Sequence, residues 1–186
     1  CLLSEPTAKS IVGNLLGDFC KGVNEKQLST EVLKGLVNHR AVDKFTDAHP
    51  LVKDAKGYFS PQRKRFAGIA LDVLFDYYLI KHWSLFASES FDEFKNKTYY
   101  LIINGLVYMP EPMAKVMERV VRQDWFASYQ SLEGIGHALD RIAGRVRFVN
   151  QFSGAIDDIY LHDVALEQVF LRFFPQLQQH VQKTTN

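Results

Sequence analysis

His39, Asp43 and Asp47 recur every fourth residue in the stretch His39-Arg40-Ala41-Val42-Asp43-Lys44-Phe45-Thr46-Asp47. Residues four apart share a face of an α-helix, so this spacing aligns one imidazole with two carboxylates. Val42 and Phe45 stand beside the stripe, which marks it as more than a solvated face. Two further carboxylates, Asp72 and Asp76, lie in the apolar run Leu71-Asp72-Val73-Leu74-Phe75-Asp76-Tyr77-Tyr78-Leu79. A helix apolar on all sides is a central one, so both aspartates are expected to face the interior. Burying an unpartnered carboxylate is costly or forces it to take up a proton. A cation is the simplest partner. Oxygen ligands suit hard divalent ions, and one imidazole shifts the preference toward Mn²⁺ or Fe²⁺ beside Mg²⁺. The same spacing also suits a helix laced by ion pairs, with Arg40, Lys44, Lys81 and His82 as counter-charges. Residue types alone leave both readings open.

Other chemistry is less marked. No Gly-rich phosphate loop of the P-loop or dinucleotide type is present, and no nucleophilic Ser or Cys motif stands out. Cys20 lies near Asp18, but one thiol and one carboxylate form no motif. His49 precedes Pro50 and reads as a helix junction; His82 closes an apolar helix, where an imidazole complements the dipole. His137, His162 and His180 have no partner at a telling spacing.

The elements that must position these groups are helical. Ser4-Glu5-Pro6-Thr7 opens a helix carrying Ile11, Leu15, Leu16 and Phe19 and ending near Lys21-Gly22. Gly13 and Gly17 inside it permit close packing, and Asp18 follows the second. Ser29 or Thr30 caps a helix to about Asp47, and a short helix spans Leu51 to Tyr58. Ser60-Pro61 opens a long helix to about His82 whose first turns hold Arg63, Lys64 and Arg65. Ser90 with Glu93 forms a capping box for Phe91 to about Tyr108. A helix then follows over Met113 to Arg122; after an aromatic turn at Asp124-Trp125-Phe126, Ser131 with Gly134 and Gly136 opens a segment reaching about Asn150 that bears Arg141, Arg145 and Arg147. Asp157-Asp158 opens a last helix through Phe174, Pro175 interrupts it, and Gln176 to Asn186 is expected to fray. No convincing alternating strand pattern occurs. The expectation is an all-α single domain over 1–186, with seven to nine helices.

Composition fits that expectation. The 186 residues are 47% hydrophobic and 23% charged, enough for one substantial core. The 14 Phe, 8 Tyr and 2 Trp are read as core. A net charge of +1 points to neither nucleic acid nor an anionic membrane. Two cysteines, no secretory signal and no apolar run of spanning length give a reduced, cytoplasmic protein as the expectation. The chain starts at Cys1 rather than Met, so preceding sequence is expected.

Three blocks carry a resemblance. Gly13-Asn14-Leu15-Leu16-Gly17-Asp18-Phe19-Cys20-Lys21-Gly22, the His39–Asp47 stretch, and Asp72-Val73-Leu74-Phe75-Asp76-Tyr77-Tyr78-Leu79 with His82-Trp83 resemble the acyl carrier protein phosphodiesterase family in order and spacing. Phe173-Phe174-Pro175 also fits. The family's N-terminal block, an apolar segment with a histidine, would precede Cys1. The resemblance implies an HD-domain-like, all-α metallophosphohydrolase. The implied reaction is Mn²⁺- or Mg²⁺-assisted hydrolysis that releases phosphopantetheine from a serine of holo-acyl carrier protein. The adjacent His-Asp pair usual in HD proteins is absent; His39 and Asp43 stand four apart instead. On this reading His39, Asp72 and Asp18 are metal ligands, Asp43 or Asp76 a further ligand or the base, and Arg40 neutralises phosphate. Arg63, Lys64 and Arg65 would dock the acidic carrier protein. A nucleotide phosphohydrolase and a noncatalytic helical binding module are the alternatives.

Overall fold

A computed structural model describes residues 1–146 and 150–185. Arg147 and Asn186 lie outside the described residues. Among the described residues every regular element is helical: α1 (Ala8–Leu16), α2 (Thr30–Ala48), α3 (Pro50–Ala55), α4 (Ala67–Lys81), α5 (Phe91–Gly105), α6 (Glu111–Arg122), α7 (Trp125–Ser128), α8 (Leu132–Ala143) and α9 (Ile156–Thr185). The all-α expectation therefore holds. The chain divides into two compact units: residues 1–45, 89–126 and 178–186 form the first, and 46–88 with 127–177 the second.

In the first unit, Thr7 caps α1 by accepting a hydrogen bond from the Ser10 amide, and Ser90 with Glu93 closes the capping box of α5. Each satisfies amides that the first helical turn leaves without partners. Ile11, Val12 and Leu16 of α1, Val32 and Leu36 of α2, Ile102 of α5, and Met113, Met117 and Val120 of α6 bury against one another. Gly105 of α5 lies against Val12, where a Cβ would stand 2.6 Å from the valine methyl. Regular α-helix stops at Leu16, five residues before the expected end, and continues as a tight turn over Gly17–Phe19. Gly22, at φ +81°, then takes the left-handed conformation that glycine adopts without steric cost.

In the second unit, α4 buries Ala67, Ala70, Leu71, Leu74, Phe75 and Tyr78, a 3.6-residue stripe. The core is aromatic: Phe75 and Tyr78 pack on Phe170, Phe75 also meets Phe173, and Phe86 sits between Phe170 and Phe174. Three expectations are corrected here. Asp72 and Asp76 are exposed, so the interior placement is wrong; they mark the outer face of α4 with Ile69. Apolar Val73, Tyr77 and Ile80 at the half-buried flanks disguised that face in the sequence.

The helix expected from Pro61 starts only at Ala67, after a short 3₁₀ turn at Lys64–Phe66. Ser60 does not cap its own helix: its amide and hydroxyl both donate to Asp158, at 3.0 and 2.9 Å. The third correction concerns the end of the chain. Pro175 does not stop α9, and the segment expected to fray is helical to Thr185, with Leu177 and Val181 buried. The departure from helical geometry falls earlier, at His162 (φ −123°, ψ 15°). There the Tyr78 hydroxyl donates to the Asp163 carbonyl and carboxylate, at 3.0 and 2.8 Å. Within the segment read from Ser131 to about Asn150, α8 runs to Ala143 and Gly144 follows it.

Candidate functional site

The most closely built polar feature of the first unit is the crossing of α1 and α2. Its basis is Ser10, Gly13 and Asn14 on α1 facing Gly35 and Asn38 on α2. A Cβ on Gly13 would overlap the Val32 carbonyl and stand 2.8 Å from Gly35 Cα. A Cβ on Gly35 would in turn overlap the Ser10 carbonyl. With both side chains absent, the two backbones come into contact. Asn38 then reaches across to donate to Asn14 Oδ1 at 2.8 Å and to the Leu3 carbonyl at 3.0 Å, while Asn14 donates to the Ser10 carbonyl at 3.0 Å. One turn further along both helices, Gly17 meets His39. A Cβ on Gly17 would overlap the imidazole ring at Cγ, Cδ2 and Nε2. The missing side chain is the space in which the ring sits.

His39 is mostly enclosed, with 20% of its side chain exposed, and its Nε2 lies 2.9 Å from Asp43 Oδ2. The i,i+4 spacing thus brings these two groups together as the sequence suggests. Asp18 follows the seat directly and is exposed. Asp47, the third residue of the stripe, belongs to the second unit and pairs there with Lys56 at 3.2 Å. Arg40 engages Glu25 with both guanidinium nitrogens, at 3.0 and 2.5 Å. That fork lowers the Glu25 pKa, chiefly through its hydrogen bonds, and raises that of Arg40. Glu25 escaped the sequence reading because it lies in a turn fifteen residues upstream of Arg40.

In the second unit, Asp72 and Asp76 stand one turn apart on the exposed face of α4. Of the basic run, Arg63 is partly buried: it donates to the Ser153 carbonyl at 3.2 Å and pairs with Asp157 and Asp158 at 3.8 and 3.4 Å. Lys64 and Arg65 are exposed. At the other end of α4, Glu167 accepts from Lys81 at 2.6 Å and meets His82 Nε2 at 2.5 Å. Burial pushes the Glu167 carboxyl up, but the hydrogen bonds and charges of Lys81 and His82 outweigh it and hold its pKa below the ordinary glutamate value. Sequence reading assigns His82 a dipole role without revealing this partner, 85 residues away. Three further histidines pack on aromatic rings, His49 on Phe173, His162 on Tyr58 and His180 on Phe45, while exposed His137 lies 3.9 Å from Glu133.

For a metal ion, the chemistry of the donor set is suitable. His39, Asp43 and Asp18 supply an imidazole and carboxylates from one region of the first unit, and thiolate plays no part. The seat on Gly17 fixes the ring, as supporting contacts do for metal-ligating histidines. Among the described residues of either unit, no three His, Cys, Asp or Glu side chains are grouped closely enough to enclose an ion by themselves. Among the same residues no helix is long and apolar enough to cross a membrane.

Comparison with known proteins places these residues in context. A family model described as acyl carrier protein phosphodiesterase matches residues 1–177. A protein of that name from Yersinia enterocolitica is 34% identical over 174 residues, covering 93% of this chain and 90% of the relative. Another from Photorhabdus laumondii is 34% identical over 91% of this chain and 86% of its own length. A third, from Pectobacterium atrosepticum, is 33% identical over 91% and 89% respectively. No solved structure matches.

Proposed function

This chain belongs to the acyl carrier protein phosphodiesterase family and is a phosphoric diester hydrolase; from that premise we propose that it hydrolyses holo-acyl carrier protein to apo-acyl carrier protein and phosphopantetheine, with a bound Mn²⁺, Mg²⁺ or Fe²⁺ ion. The observation that carries the reading is the family match across residues 1–177, which includes every residue assigned a role below. The seating of His39 on Gly17 supports it, because a surface histidine needs no such space.

When bound, the ion polarises a phosphodiester oxygen and lowers the pKa of a bound water. His39 and Asp18, both in the first unit, are the ligands in this proposal. Asp43 holds the His39 ring through Nε2 and is the carboxylate proposed as the base. Arg40 can meet a phosphate only by exchanging the Glu25 carboxylate for it, since its fork is filled. Lys64 and Arg65, both exposed, are the members of the basic run proposed to steer an acidic carrier protein. Arg63 holds the start of α9 instead.

The test is incubation of the purified protein with holo-acyl carrier protein and Mn²⁺, followed by mass spectrometry of the carrier. Loss of the phosphopantetheine mass, abolished by chelator and restored by Mn²⁺, is the expected result. An unchanged carrier would overturn the reading.

A further inference from the structure

Helix α5 and the 3₁₀ turn Leu106–Tyr108 that extends it leave an apolar face exposed. Tyr100 is 70% exposed, Ile103 46%, Val107 80% and Tyr108 47%. Tyr100, Ile103 and Val107 follow at helical spacing, so they are neighbours on one surface. Together the four side chains present on the order of 400 Å² to water, in the range where apolar patches mark an interaction site. Beside the stripe opens a cavity of about 420 Å³ lined by Pro6, Asn96, Lys97, Tyr100 and Leu101. Tyr108 stands on the same flank of α5 as that cavity, the flank toward α1. Pro6 lies just before α1, and the Lys9 ammonium of α1 is 5.5 Å from the centre of the Tyr108 ring. One face thus holds a hole and, about two turns along, a projecting ring. The lysines beside it have carboxylate partners: Lys97 pairs with Glu89 at 2.5 Å, Lys9 with Glu31 at 3.3 Å and, past the turn, Lys115 with Glu111 at 2.6 Å. An acidic partner gains no excess of cations from these pairs, and two copies of the face meet no net like-charge repulsion.

We propose that this face is the interface of a homodimer, with α5 of one copy antiparallel to α5 of the other and each Tyr108 ring seated in the other copy's cavity. A two-fold contact uses the same patch on both copies, so the patch must complement itself. An axis passing between Ile103 and Asn104 meets that requirement. It sets Tyr100 of each copy against Val107 of the other and brings Tyr108 level with residues 96–101, where the cavity opens. The rotation keeps each flank on its own side, so ring and cavity meet. Lys97 precedes Tyr100 and Glu111 follows Val107, so antiparallel pairing also brings unlike ends of the stripe together. An aromatic ring filling a pocket is the kind of anchor that carries binding energy. The exposed apolar area is about half of the ~800 Å² that each partner buries in a standard interface, which is the share an apolar centre supplies, and the polar rim adds the rest. The partner is a second copy of this chain, and the contact involves its first unit alone.

The test is sedimentation velocity of the full chain from ~1 to ~100 µM, a span that covers weak and standard interfaces. The parent is expected to pass from monomer to dimer over that range. Val107→Glu, at a mostly exposed position, should weaken the dimer by ~10-fold or more, and Tyr108→Ala, which empties the cavity, by a similar factor. Leu161→Glu, at a 76% exposed position of α9 in the second unit, should leave the dimer unchanged. Far-UV circular dichroism checks the helices of each variant, and Tyr100→Gln replaces any that unfolds. A parent that stays monomeric to ~100 µM overturns the proposal, and so does equal weakening by Leu161→Glu. A monomeric parent whose Val107→Glu variant loses affinity for apo-acyl carrier protein would assign the face to the carrier and likewise overturns it.

Discussion

Two helix pairings in this chain solve the same problem in opposite ways. In the first unit, α1 and α2 cross on Gly13 and Gly35 with backbone against backbone. In the second, α4 meets α9 through large rings, Phe75 and Tyr78 on Phe170, and through polar hooks at Tyr78–Asp163 and Lys81, His82–Glu167. A glycine crossing has no rotamers and little freedom to slide, so it fixes the next turn closely. That next turn is Gly17 against His39. A ring-and-hook interface tolerates adjustment, since side chains can repack around lost atoms. Gly13 thus serves the helix crossing, while Gly17, four residues on, makes room for the His39 ring.

The comparison can be broken most severely at Gly13. Gly13→Ala would drive a methyl into the Val32 carbonyl, with backbone on every side. The expected cost is about 3 kcal/mol or more, read from the denaturant midpoint. A cost under about 1 kcal/mol would show that the crossing yields. His39→Ala keeps the crossing and removes the imidazole. It should lower phosphopantetheine release by ~100-fold or more, equivalent to about 2.7 kcal/mol, with a small change in stability.

The hooks of the second unit should respond more mildly. Tyr78→Phe leaves the fully buried ring in place and removes a hydroxyl that donates to Asp163 twice. It should cost about 1–2 kcal/mol by urea unfolding. A larger loss would place this interface alongside the glycine crossing in rigidity. The smallest effect concerns acid. Because the folded protein holds Glu167 below its ordinary pKa, that group contributes stability above its unfolded pKa. The contribution is lost as pH falls through the lowered folded value. Glu167→Gln should therefore be less stable than the parent at neutral pH and converge with it in acid. A constant difference across the acid range would remove the linkage.

The sequence was most informative where local signals decide structure. Thr7 within the Ser4–Thr7 start and the Ser90–Glu93 box appear as read, and Ser131 opens its segment as a cap, since a cap needs only residues within one turn. The His39–Asp43 contact was legible for the same reason. Failures came from partners distant in sequence. Ser60 reads as a cap until Asp158 takes its hydroxyl, and Arg40 reads as available until Glu25 fills its fork. Asp72 and Asp76 were misplaced because apolar neighbours at half-buried positions imitate a central helix. Pro175 reads as a stop, yet Leu177 and Val181 keep burying apolar surface beyond it and the helix continues.

The central claim is that the space at Gly17 exists for the His39 ring, and Gly17→Ala tests it directly. Its new methyl meets a side chain rather than backbone, and Gly17 has ordinary right-handed helical angles that alanine adopts freely. The measurement is the rate of phosphopantetheine release from holo-carrier protein, set beside the thermal unfolding midpoint of the same sample. The account predicts a rate lower by ~10- to 100-fold, the range seen when a supporting contact to a ligand is lost, with the midpoint nearly unchanged. Parental activity in Gly17→Ala would contradict it.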